Sequence, residues 1–271
     1  MTRPSAEISN VALSVVETGS GRPFVFQHGL CGDAAQPAQV FPGHIGWRSL
    51  TMEARGHGAS EAGPAHELSI ATFTKDLAGV IKSRDLSRPV VGGISMGAAI
   101  ALRLAVRHPD LVGALVLARP AWLTNRGPEN MQPNAFVGLL LRDHSADDAK
   151  AAFEMSDTFR QLEIDGPDNL LSLKGFFARK PQTTTSELLM RISADGPGVS
   201  ENEVRRILVP TLVIGHERDV VHPIAYARRL AKWISGARLI EITPKADDAE
   251  AYRNDFRQAL TSFLEEISYE A

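Results

Sequence analysis

Apolar positions along the chain follow two periodicities that alternate with one another. Short continuous runs of Val, Ile, Leu and Phe occupy 12–17, 23–27, 48–52, 89–92, 111–117, 211–214 and 238–242, and they predict strands. Several of these runs lack polar alternation, as strands buried on both faces do. Between them, apolar residues recur at helical spacing over 70–84, 96–107, 223–234 and 252–267. Strand and helix in alternation argue for βαβ units and a mostly parallel sheet.

The alternation stops between 121 and 200. That stretch carries the loop signals TNRGPEN, IDGPDN and ADGPG, together with short amphipathic helical segments such as 149–155 and 184–192, and no strand-like run. The pattern therefore predicts an α/β core from 1–120 and 201–271, with a helical cap inserted over 121–200. Regular alternation resumes at EVRRILVPTLVIG.

Composition narrows the function classes. The 271 residues carry a net charge of -3 and are 44% hydrophobic and 23% charged. No basic face is available for nucleic acid or an anionic membrane, so the expected partner is a small molecule. The opening MTRPSAEISN lacks the apolar centre of a secretory signal, and no window is apolar for long enough to cross a bilayer. A cytoplasmic location is expected. Cys31 is the single cysteine, which excludes an internal disulfide. His44 and His66 lie in unpatterned stretches without metal-ligand spacing, and neither a metal nor a cofactor is expected.

The chemistry concentrates at PVVGGISMGAAIALRLA. A strand ends at Gly92, and Gly93-Ile94-Ser95-Met96-Gly97 leads directly into a helix. A turn sharp enough to lift Ser95 clear of the sheet strains the serine backbone and brings the positions two before and two after it too close for side chains. Glycine occupies both. The competing readings are a dinucleotide turn and a phosphate loop. The first needs glycine where Ile94 stands, and the second needs a lysine that does not follow.

With this serine turn, the chain resembles the α/β-hydrolase superfamily. Gln27-His28-Gly29-Leu30 is similar to the family's HG loop, and Arg55-Gly56-His57-Gly58-Ala59-Ser60 to its RGHGxS turn. Asp76-Leu77, His108-Pro109 and VPTLVIGHERD fall in the familiar order. The resemblance implies an α/β-hydrolase fold with Ser95 as nucleophile. It also implies an oxyanion site at the His28-Gly29 loop, formed by the amides of Leu30 and Met96. Asp219 stands where the family's acid belongs, with Glu217 as the nearby competitor. His28 and His57 are expected to hold loops, and Cys31 to be a small buried residue.

One part of the family pattern is missing. The base belongs in the loop after the last strand, where this chain reads Glu241-Ile242-Thr243-Pro244-Lys245-Ala246-Asp247-Asp248-Ala249. No histidine follows His222. Loss of the base in a Ser-His-Asp enzyme costs about 2 × 10⁶ in turnover. Three possibilities stay open. His222, three residues after Asp219 and just before Pro223, takes the role from a helix start. Alternatively, Asp247 or Asp248 acts as the base. In the third case the scaffold binds ligands without hydrolysis. The leading expectation is a serine hydrolase of a small ester, lactone or related acyl compound, with an apolar pocket above Ser95. The alternative is a non-hydrolytic ligand-binding protein.

Overall fold

The computed structural model describes residues 5–9, 11–41, 43 and 46–269. The apolar runs pair into one sheet in the order β1-β2-β4-β3-β5-β6-β7-β8. These strands are β1 (Ser5–Ser9), β2 (Val11–Gly19), β3 (Arg22–Gln27), β4 (Trp47–Met52), β5 (Val90–Ile94), β6 (Ala114–Ala118), β7 (Thr211–Gly215) and β8 (Arg238–Glu241). β1 and β2 pair antiparallel, β2 joins β4 antiparallel, and every pairing from β4 through β8 is parallel.

Successive strand residues point to opposite faces, and both faces are covered. Val25, Val91, Leu115, Leu117 and Val213 pack on α2 (Ile70–Ser83), α3 (Met96–Arg107) and α10 (Ile224–Trp233). Phe24, Phe26, Val90, Val116, Leu212 and Ile214 pack on the other face, against α1 (Ala35–Val40) and α11 (Ala249–Tyr269). Phe256, Leu260, Phe263 and Leu264 carry the α11 contact and are nearly inaccessible. Each contributes roughly 1.5–3 kcal/mol by leaving water. The continuous apolar runs thus have a direct physical cause.

Between β6 and β7 lie five further helices: α4 (Gln132–Asp143), α5 (Ala146–Glu154), α6 (Asp157–Asp165), α7 (Pro167–Phe176) and α8 (Gln182–Ser193). The short α9 (Glu201–Val204) leads back to the sheet. Ser145 caps α5 and Ser156 caps α6 through hydrogen bonds to the third residue beyond. The sequence pattern marked only parts of α5 and α8. Two core boundaries also move. The strand expected from 111 begins at Ala114, because Pro109–Leu111 forms a 3-10 turn. The helix expected from 223 begins at Ile224, with Pro223 extended at φ -54°, ψ 128°. β1 was absent from the sequence pattern, and His44 lies outside the described residues. Among the described residues no helix is long and apolar enough to cross a membrane.

Candidate active site

β5 delivers the chain to Ser95 at the carboxyl edge of the sheet, and α3 carries it away. Ser95 has φ 57° and ψ -111°, a conformation that a non-glycine residue holds only where its surroundings impose it. The backbone is held by Ser95 N–H donating to Ala118 O at 3.0 Å and Ala99 N–H donating to Ser95 O at 3.1 Å. A Cβ on Gly93 would lie 2.5 Å from the carbonyl carbon of Gly97, and one on Gly97 would lie 2.4 Å from Gln27 O. Neither position has room for a side chain.

The Ser95 hydroxyl lies 2.8 Å from Nε2 of His222. The other ring nitrogen, Nδ1, lies 2.8 and 3.0 Å from the two carboxylate oxygens of Asp219. A carboxylate only accepts, so Nδ1 carries the proton and Nε2 presents its lone pair to the serine. The His222 backbone N–H also donates to Asp219 Oδ1, at 3.0 Å. This short loop explains how a histidine three residues past Asp219 reaches the Ser95 hydroxyl. The chain folds back on Asp219 before α10 begins.

Asp219 is gripped more fully than one histidine requires. Asn169 Nδ2 donates to Oδ1 at 2.8 Å, and Arg119 reaches Oδ2 through Nε at 2.8 Å and Nη2 at 2.7 Å. Arg119 Nη2 also meets Asp168 Oδ2 at 3.0 Å, whose second oxygen lies 2.6 Å from Lys245 Nζ. Two cations therefore face two carboxylates in a buried cluster. Burial alone would raise the Asp219 carboxyl, but Arg119 and His222 hold it well below the usual carboxylate range. Burial works the same way on Asp168, and Arg119 and Lys245 outweigh it to lower that carboxyl too. Burial opposes the Arg119 charge, but Asp219, Tyr252 and Asp168 raise its pKa.

His216 packs edge-on against Tyr252, with Nε2 3.5 Å from Asp219 Oδ2. Its Nδ1–H donates to Glu217 O at 2.7 Å, so Nε2 has no proton to offer the acid. Burial and Arg119 lower its pKa.

The remaining expected residues separate cleanly. Leu30 lines the cavity beside Ser95. The amides on either side of it are taken, Gly29 N–H by Gln36 Oε1 at 2.6 Å and Cys31 N–H by His57 Nε2 at 3.0 Å. Gly29 therefore lines the site without a free donor. Met96 opens α3, and a first-turn amide has no intrahelical acceptor. His28 does not line the cavity. Its Nδ1–H donates to Gly29 O at 2.8 Å and its Nε2 accepts from Ala54 N–H at 3.0 Å, which makes it a brace for the loop. Burial pushes the Cys31 thiol up to about 12, so it is a poor nucleophile. Glu217 turns outward to Arg228 at 2.8 Å. Asp247 pairs with Arg218 at the surface, and Asp248 accepts the first amides of α11, so neither carboxylate reaches Ser95. Among the described residues no cluster of His, Cys, Asp and Glu is placed to hold a metal.

The cavity at Ser95 has a volume of about 100 Å³. It is not the apolar pocket expected. Leu30, Met131 and Phe176 share its wall with Gln36, Asn134 and Ser172. Arg119, Asp168, Asn169, Lys245 and Asn134 belong to the site although the sequence pattern does not mark them as site residues. Arg119 had a usable signal, being a charged residue directly after an apolar strand, at the sheet edge where sites form. It also holds φ 45°. Asp168 and Asn169 stood inside a turn signal and had none.

Residues 22–247 match the family defined by the alpha/beta hydrolase fold, and the chain belongs to that family. A curated relative is the AB hydrolase superfamily protein YisY of Bacillus subtilis (strain 168), 25% identical over 96% of each chain. Among solved structures, the enol-lactonase from Burkholderia xenovorans LB400 superposes with a TM-score of 0.71 at 24% identity, covering 95% of this chain and 100% of that one. A bromoperoxidase from Bacillus anthracis gives 0.75 at 20% identity, covering 97% and 100%. Both likenesses are to the fold.

Proposed function

We propose that the protein is a serine hydrolase of small esters, lactones or related acyl compounds, with Ser95 as nucleophile, His222 as base and Asp219 as the acid that orients it. The observation that carries this reading is the unbroken line from Asp219 through His222 to the Ser95 hydroxyl, each step at 2.8 Å. Solved structures that share the fold include an enol-lactonase and an N-acyl homoserine lactone degrading enzyme.

In this reading the Ser95 oxygen attacks the acyl carbon as its proton passes to His222 Nε2. Charge that develops on the carbonyl oxygen is met by the Leu30 and Met96 amides, where loss of one donor costs roughly 10²–10³ in rate. The imidazolium returns the proton to the leaving alkoxide, which departs and leaves an acyl group on Ser95. Water then attacks that ester, again giving its proton to Nε2, and Ser95 is regenerated as the acid product leaves. The helices over 121–200 act as a cap that closes the acyl site.

A fluorophosphonate probe tests the assignment. Ser95 is labelled in the native chain, and Ser95→Ala abolishes labelling. His222→Ala lowers ester turnover by roughly 10⁴–10⁶. Full turnover in His222→Ala overturns the base assignment. An unreactive Ser95 returns the protein to the ligand-binding alternative.

A further inference from the structure

One residue in the wall of the cavity at Ser95 carries a polar atom that the protein leaves without a partner. The other polar side chains that line it have partners within the fold. Gln36 holds the Gly29 amide, Ser172 Oγ donates to Asp168 O at 3.1 Å, and Asn169 bridges Asp219 and the Val220 amide. Arg119 and Lys245 are both engaged by carboxylates. Asn134, in the first turn of α4, is only 6% exposed, and its buried carboxamide oxygen has no hydrogen-bond partner. An apolar residue would suit a wall shared with Met131 and Leu173 better, because a buried unmet polar group is destabilising.

The surrounding charge bears on what could meet it. Arg119 and Lys245 balance Asp168 and Asp219, so no cation is left over for a substrate carboxylate, and no carboxylate for a substrate ammonium. The volume of about 100 Å³ is well below the roughly 300–1,000 Å³ of sites for drug-sized ligands, which restricts the occupant to a short group. A carboxamide can also turn end for end, and a hydroxyl satisfies either end because it both donates and accepts.

We infer that Asn134 is a specificity-determining residue, and that it selects short acyl groups bearing a neutral hydrogen-bonding substituent, a hydroxyl above all, over plain alkyl groups of the same size. The inference rests on the hydrolase reading. It adds to that reading the polarity of the acyl chain and the side chain that reads it. A site built to bond a hydroxyl discriminates strongly against an analogue that leaves its polar group unpaired.

The test compares 4-nitrophenyl esters of 2-hydroxy and 3-hydroxy short-chain acids with their isosteres in which methyl replaces hydroxyl. Native protein is expected to favour at least one hydroxyacyl ester over its methyl isostere by about tenfold or more in kcat/KM. Asn134→Leu, which keeps the branching and the number of heavy atoms, is expected to erase that ratio by losing the hydroxyacyl substrate. Asn134→Ala serves as the second variant, and fluorophosphonate labelling of Ser95 verifies that each variant retains its site. Equal ratios in native and variant proteins, or a native preference for the methyl isosteres, overturn the inference and leave the hydrolase reading intact. Absence of turnover on every ester, with Ser95 unlabelled, removes both.

Discussion

Arg119 gathers into one side chain what the site requires electrostatically. Its guanidinium binds Asp219 and Asp168 together, lies over Tyr252 at 5.7 Å and is almost wholly buried. Breaking a buried pair leaves uncompensated charge, at a cost of about 3–5 kcal/mol. Arg119→Met, which removes the cation and keeps the bulk, is expected to destabilise by about that much, read as a lower urea midpoint with an unchanged slope. Arg119→Lys is expected to recover only part of the loss, since a point charge cannot fork between two carboxylates. At this scale the sequence was uneven in what it revealed. Ser95 was legible because the glycines its turn demands stand two positions to either side of it, Gly93 pressed against Gly97 and Gly97 against Gln27. His222 was legible as a candidate because its partner acid is three residues off. Arg119 pairs with Asp219 100 positions away and Asn134 shares a cavity with Ser95 39 positions away, and local pattern does not carry such proximities.

Helix α7 is where the segment between β6 and β7 meets the loop that carries Asp219 and His222. Its first turn supplies Asp168 and Asn169, the latter holding Asp219 and accepting from the Val220 amide at 2.8 Å. Asn169→Ala is expected to lower kcat/KM by about 10–100-fold, because small misplacement of a catalytic group has effects of that size. Asn169→Asp is expected to do worse, by setting a like charge against Asp219. Steady-state kinetics beside unfolding curves separates this from simple instability. The α7 sequence gave no warning of the role, since the same Gly166-Pro167 that starts the helix reads equally well as a loop. The central strands β5, β6 and β7, by contrast, announced themselves, because burial on both faces leaves no polar alternation to confuse the pattern.

Across the whole molecule, buried histidines make stability depend on pH. Burial lowers the pKa of His28 and His216 and holds His57 well below its ordinary 6.5. The unfolded chain then binds more protons than the folded one as pH falls below 6.5. Their contribution is fully present above that value and is lost as pH drops towards the folded-state pKa values. The melting temperature is expected to be level above about pH 7 and to fall by roughly 3 °C or more by pH 5. A flat calorimetric profile over that interval would contradict it. Asp219, lowered from 3.8, adds a second loss only in stronger acid, as its folded-state proton is finally taken up.

The clasp of α7 on Asp219 also bears on how such a protein could be re-engineered. Transplanting the helices between β6 and β7 from a relative, to borrow its substrate choice, would carry off Asp168 and Asn169 and leave Arg119 and Asp219 facing an unmatched surface. Under the proposed hydrolase reading, the proton relay thus depends on one turn of α7, and a graft that ignores those two positions trades a new preference for a silent serine.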